Sequence, residues 1–246
     1  MQDSFSVVLF VLVGALLGSF GNVLTLRLPR GESIGGRSHC PHCSRVLRAW
    51  ELIPVVSFML LRGRCSTCHG RIAWRYPMVE VSSAGLFLLA LSLAPGVEAA
   101  ALLALSLWLL LLIAIIDAQV QGIPDVLNFT LLIVAGAYAF VVGTPELFPP
   151  LLTGGFFFFQ WAVSRGRWTG SGDIILGTGI GLLLPTVGHA LLMLACSYIL
   201  GAGVATVLLL SGRSKRTDHL AFAPFLALGT LLTLLWGDVM LGVLLG

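Results

Sequence analysis

Eight stretches of this chain are apolar over helical lengths: 5–26, 78–94, 99–116, 126–142, 151–164, 174–187, 189–210 and 220–236. A bilayer core of about 30 Å takes about 20 apolar residues in a helix. Most of the runs meet that length, while 151–164 and 174–187 must borrow flanking residues. Of the 246 residues, 57% are apolar and 10% charged, whereas a soluble domain carries roughly 25% charged residues. That balance excludes a soluble enzyme, a disordered chain and a fibrous one. Lipid demands that backbone groups be paired within the segment, so the expected fold is an all-α polytopic membrane protein of about eight transmembrane helices. Asp3, with no basic residue before the first run and no small-residue cleavage site after it, marks that run as a retained span.

The 14 basic residues test the threading. Nine arginines lie between Arg27 and Arg75, then come Arg165 and Arg167, then Arg213, Lys215 and Arg216. With the N-terminus outside, the loops 27–77, 117–125, 165–173 and 211–219 face the cytoplasm and hold every Lys and Arg, as the positive-inside rule asks. One span more or fewer breaks that agreement. Basic charge next to apolar spans faces anionic lipid, and no nucleic-acid partner is expected. Gly14 with Gly18, and Gly177 with Gly181, stand four apart, which suits close helix packing.

Residues 27–77 are the exception to the apolar pattern. They carry nine Arg and four Cys, and about fifty residues need a staple to hold a fold. Cys40-Pro-His-Cys43 and Cys65-Ser-Thr-Cys68 each deliver two sulfurs, and four thiolates enclose a tetrahedral zinc. The cytosol disfavours disulfides, so a structural zinc site is the preferred reading, over reduced thiols or a redox pair. His39, His42 and His69 flank a set that four Cys already complete. Cys196, in an apolar run, reads as packing.

Three carboxylates fall at the cytoplasmic ends of spans: Asp117 after Leu109–Ile116, Asp125 after Gly122-Ile-Pro124, and Asp173 after Gly170-Ser-Gly172. Ionisable groups in membrane segments are expensive and mark functional sites. Asp173 and Asp125 have an alternative as helix caps. Asp117 closes a helix, where negative charge opposes the macrodipole. Like charges in close contact disfavour double ionisation, so such a pair holds one proton between them near neutrality. One member then activates water while the other polarises a carbonyl. The glycines before Asp173 leave room for a substrate backbone.

These residues together resemble the type IV prepilin peptidases, GxGD-type aspartic proteases. The resemblance rests on Gly18-Ser-Phe-Gly-Asn-Val23 with Arg27-Leu-Pro29, Cys40-Pro-His-Cys43, Leu52-Ile-Pro54, Cys65/Cys68 and Arg75-Tyr-Pro-Met-Val-Glu80. It continues through Ile116-Asp117, Ile123-Pro-Asp125 and Gly170-Ser-Gly-Asp173. It implies that Asp117 and Asp173 are the catalytic aspartates. The implied substrate is a prepilin or type II secretion pseudopilin, cut after a Gly at the cytoplasmic face of the bacterial inner membrane. It further implies N-methylation of the new terminus, often Phe, with S-adenosylmethionine as donor, an activity tied to the cysteine loop. Donor contacts are not assigned, and Glu32, Glu51 and Glu80 are the acids to test. Two departures stand out: Ile175 where the family often has Lys, and Leu220-Ala-Phe-Ala-Pro-Phe225 for the usual I-P-F-G-P-F.

The expected organisation is a first transmembrane helix at 1–26, a cytoplasmic zinc-binding insertion at 27–77 and a membrane peptidase domain at 78–246. Two rivals remain at this level. One is a protease without methyl transfer, which the cysteine loop opposes. The other is an ion-coupled transporter or assembly factor with proton-binding aspartates, whose inverted repeats are not visible.

Overall fold

In a computed structural model the chain is described at residues 4–143, 146–212 and 220–245. Asp3, the basic trio Arg213, Lys215 and Arg216, and most of the loop 211–219 lie outside the described residues. Nine α-helices are present among them: α1 Ser4–Arg27, α2 Val56–Leu60, α3 Arg75–Leu93, α4 Val97–Val120, α5 Asp125–Val142, α6 Phe148–Ser164, α7 Ser171–Gly181, α8 Val187–Leu210 and α9 Ala223–Leu245. No strand is present among the described residues, only two isolated antiparallel bridges.

Every apolar run becomes a helix, but the runs are not equal. Six helices (α1, α3, α4, α5, α8 and α9) are long and apolar enough to cross a membrane. α6 has 17 residues and α7 only 11. At 1.5 Å per residue α7 is about 16 Å long, short of a bilayer core. The span expected at 174–187 thus begins earlier, at Ser171, and stops at Gly181. Leu183 and Leu184 close tighter turns onto Ile180 and Gly181, and Pro185 bars helical continuation before Thr186 caps α8. The surface pattern is inverted relative to a soluble protein. Phe140, Ile133 and Ile199 point outward, while Ser106, Asn128, Thr153, Ser197 and Thr230 are buried between helices. Lipid as the outer solvent explains that arrangement, and the chain is a multi-pass α-helical membrane protein.

The chain divides into two compact units, Met1–Ser92 and Leu93–Gly246. In the first, α1 and α3 meet at the small residues of α1. A Cβ on Gly18 would stand 2.6 Å from Glu80 Cα, and one on Gly14 2.9 Å from Ala84 Cα. Asn22 donates to the Tyr76 carbonyl at 3.1 Å, and Arg75 donates to Thr25 Oγ1 at 2.8 Å. In the second unit, α6 and α7 approach in the same way. A Cβ on Gly181 would lie 2.5 Å from Pro150 Cα, and the Thr153 hydroxyl donates to the Gly177 carbonyl at 2.8 Å. Gly181→Ala therefore has to force two backbones apart, at about 1–3 kcal/mol. It is expected to lower the thermal midpoint in detergent, whereas Gly155→Ala, whose Cβ meets nothing within 4 Å, should leave it unchanged. Equal midpoints for the two variants would refute the packing argument.

Candidate active site and metal centre

The end of α4 is set by Gln121, which takes the left-handed conformation (φ 53°) and donates its N–H to the Asp117 carbonyl. Asp117 is thereby fixed in the last turn, with its side chain buried. Its Oδ2 accepts the Ala223 N–H at 3.0 Å from the start of α9. The chain then turns through Gly122-Ile123-Pro124. Pro124 occupies the cap position of α5, so Asp125 is the first helical residue, not the cap. It is exposed, in a turn where the helix dipole favours negative charge.

Asp173 is the third residue of α7 and reaches back to the residue before the helix, its Oδ2 accepting the Gly170 N–H at 2.9 Å. That is half of a capping box, so the capping role holds for Asp173 alongside any other. Gly172 packs on Ile123, and Asn128 donates to the Gly172 carbonyl at 2.8 Å. α5 thus ties the turn after α4 to the start of α7. Asp117 and Asp173 stand at the two ends that this tie joins, while Asp125 is exposed on the surface.

Several residues at this site were not legible as functional from the sequence. Asn128 is fully buried with Oδ1 unpartnered. Gln160 of α6 donates to Tyr198 Oη of α8 at 2.7 Å, and Tyr198 lies against Phe222, next to the Ala223 N–H that holds Asp117. A polar residue breaking an apolar run was the available signal for each.

The metal centre belongs to Met1–Ser92. Each C-x2-C forms the same knuckle. Cys40 N–H donates to the Arg45 carbonyl and Ser44 N–H to the Cys40 carbonyl; Cys65 N–H donates to the Gly70 carbonyl and His69 N–H to the Cys65 carbonyl. Ser44 (φ 56°) and His69 (φ 54°) take the left-handed conformation that closes the two turns. His39 bridges to Val46 and Arg64 to Arg71 beneath them. The four sulfurs, all free thiols, lie within 4.8 Å of one another. Zinc–sulfur bonds of about 2.3 Å give a tetrahedron with edges of about 3.8 Å. The Cys40–Cys68 sulfur separation is 3.8 Å, so the donor set fits zinc. His42 is no ligand: its Nε2 lies 3.2 Å from the Arg71 carbonyl oxygen and its ring covers Gly70.

Glu51 fastens the two knuckles together. Its carboxylate pairs with Arg45 from the first, accepts the Ser66 hydroxyl of the second at 2.7 Å, and accepts the Arg48 N–H at 2.8 Å. The Arg45 hydrogen bond, with these others, holds Glu51 down to about 2 against the opposing effect of burial. Backbone N–H groups of Cys68 and Thr67, aided by Arg45, draw the Cys65 thiol down to about 6. At Cys68 the Gly70 N–H pulls the same way, but desolvation and the neighbouring sulfurs outweigh it and push that thiol up to about 11. A cation replacing the protons resolves this unequal sharing.

Each of the three acids to test for methyl transfer has a partner of its own. Glu32 pairs with Arg30 on the surface, Glu51 is saturated by the knuckles, and Glu80 accepts the Val55 N–H at 2.8 Å.

Comparison with known proteins completes the description. A family model described as "Bacterial Peptidase A24 N-terminal domain" matches residues 12–93, and one described as "Type IV leader peptidase family" matches residues 104–206. A "Prepilin leader peptidase/N-methyltransferase" of Burkholderia pseudomallei (strain 1026b) is 34% identical, over 96% of this chain and 86% of the relative. One of the same description from Bacillus subtilis (strain 168) is 33% identical over 94% of each. A "Type 4 prepilin-like proteins leader peptide-processing enzyme" of Escherichia coli O78:H11 is 33% identical, over 92% of this chain and 93% of the relative. No solved structure matches the chain.

Proposed function

Because the chain belongs to the type IV leader peptidase family, we propose that it is a membrane aspartic endopeptidase that removes the leader of type IV prepilins or type II secretion pseudopilins and methylates the new N-terminus. The observation that carries the hydrolytic half is that Asp117 at the end of α4 and Asp173 in the first turn of α7 are each oriented by backbone N–H groups, with α5 joining the two segments through Ile123 and Asn128.

The ionised member of the pair takes a proton from water, and the hydroxide equivalent adds to the scissile carbonyl carbon. The protonated member donates to the carbonyl oxygen as the tetrahedral intermediate forms. Collapse of that intermediate breaks the C–N bond, with a proton passing to the leaving amine, and the shared proton is restored. The positive-inside distribution orients this end of the spans to the cytoplasm of the bacterial inner membrane, where a basic leader meets it while the apolar stem of the substrate lies among the helices.

Methylation is assigned to Met1–Ser92 on the double name of the relatives and on the metal centre there. S-adenosylmethionine supplies the methyl group when bound. Zinc held by Cys40, Cys43, Cys65 and Cys68 is structural, since four protein ligands leave no open position.

The test is incubation of purified protein with a prepilin, with and without S-adenosylmethionine, followed by product mass. Leader loss in both arms, and one added methyl group only with the donor, is the expected result. An unprocessed prepilin in both arms would overturn the peptidase reading, and cleavage without methylation would leave a protease alone.

A further inference from the structure

Tyr198 is a phenol in the middle of an apolar helix, and its geometry calls for more than packing. The ring is held on two sides, by Phe222 at 4.8 Å (interplanar angle 58°) and edge-on by Phe156 at 5.6 Å. Phe222 is itself wedged between Phe157 and Phe225. Only the O–H torsion is free. Gln160 Nε2 donates to the phenolic oxygen at 2.7 Å, which occupies an acceptor site and leaves the Tyr198 proton without an acceptor among the described residues.

The phenol ring packs against the elements that place both carboxylates. Phe222 immediately precedes Ala223, whose N–H holds Asp117, and it also meets Phe157 of α6, which packs on Gly177 of α7, the helix that carries Asp173. A fixed donor with an unused proton stabilises an oxygen that gains negative charge beside it.

We propose that Tyr198, buttressed by Gln160, is a third functional group of the hydrolytic centre, donating its O–H to the scissile carbonyl oxygen as that oxygen gains negative charge. The phenolic proton stays on Tyr198 throughout, so proton transfer remains with the aspartates. Tyr198 is then a catalytic residue and Gln160 a positioning residue. The assignment rests on the Asp117–Asp173 reading above. The competing account is a plain α6–α8 staple, in which the hydrogen bond only holds two helices together.

Y198F separates the accounts, because it keeps the ring and its stacking and removes only the hydroxyl. With a purified type IV prepilin as probe, Y198F is expected to lower kcat about 100-fold, with KM and the thermal midpoint unchanged. Q160A, which frees the phenol to rotate, should lower kcat by a smaller factor, again at constant KM. Y198A, which also loses the stacking, should lower both kcat and the thermal midpoint. A Y198F enzyme that turns over within threefold of the unmodified protein overturns the proposal. So does a kcat loss in Y198F that appears only together with a lowered thermal midpoint. Asp117→Asn and Asp173→Asn are assayed alongside. Full activity in either of them sinks the dyad itself, whereas their inactivity beside an active Y198F sinks the Tyr198 assignment alone.

Discussion

Replacing either Asp117 or Asp173 by Asn is expected to cut leader removal by about 10³-fold or more while the protein still inserts and keeps its helices. Positioned acid–base groups contribute about 10²–10⁴-fold each, and Asn neither takes up nor gives a proton in this range. The substitution is nearly isosteric. Its amide oxygen can still accept the Ala223 N–H at 117 or the Gly170 N–H at 173, so the contacts that place the two side chains survive. Because the pair acts as one unit, the double variant should be no worse than either single one. Asp125→Asn is the internal contrast. That residue is exposed in the first turn of α5, with no side-chain partner among the described residues, and a loss of less than about threefold is expected for a surface charge. Product mass after single-turnover incubation, with circular dichroism of each variant, makes the comparison. Undiminished cleavage by the 117 or the 173 variant would end the dyad account.

The legible parts of this molecule were those encoded by composition over a window. Each apolar run became a helix because lipid leaves a polar backbone no other way to pair. The acids at 117 and 173 stood out because charge is rare in such runs. What escaped was set by single hydrogen bonds. The halt of α7 at Gly181 depends on turns closed by Leu183 and Leu184 before Pro185, while apolarity continues unbroken through Leu184. The expected boundary at 78 cuts into α3, which starts at Arg75 and packs on α1 through Gly14 and Gly18. Asn128, Gln160 and Tyr198 are isolated polar residues without periodicity, and only the packing of α5 on α7 and α6 on α8 shows what each one meets. The partner of Asp117 is a backbone N–H, invisible to any reading of side chains. For the same reason Ala223, in place of the glycine of the usual pattern, leaves that donor intact.

The second large effect is expected at the cysteines. Cys65→Ser or Cys40→Ser should reduce bound zinc from a single ion per chain to almost none, and lower methylation more than tenfold. Cleavage should stay within about threefold, because both aspartates belong to the other compact unit. The non-membrane part of Met1–Ser92 has little else to hold it. Its backbone pairing consists of two isolated bridges, turns and short helical segments of three to five residues, and Trp50, Met59 and Trp74 are exposed. A structural zinc in a domain of this kind contributes on the order of 10–16 kcal/mol of apparent binding free energy, far above the few kcal/mol that a core so small supplies. Cys40 and Cys65 are the buried members of the set, so a serine at either leaves a hard oxygen donor where the zinc needs a thiolate and where solvent cannot substitute. Glu51 would not rescue the fold. It clamps Arg45 to Ser66 only while both knuckles hold their turns, and those turns end on Cys40 and Cys65 themselves. Asp117 and Asp173 belong to Leu93–Gly246, whose helices pack among themselves, so their chemistry should outlast the loss. Metal analysis, limited proteolysis across residues 27–77 and the two activities on one prepilin separate the outcomes. Zinc retained in the serine variants would remove the four-cysteine assignment, and parallel loss of both activities would remove the division of labour between the two units.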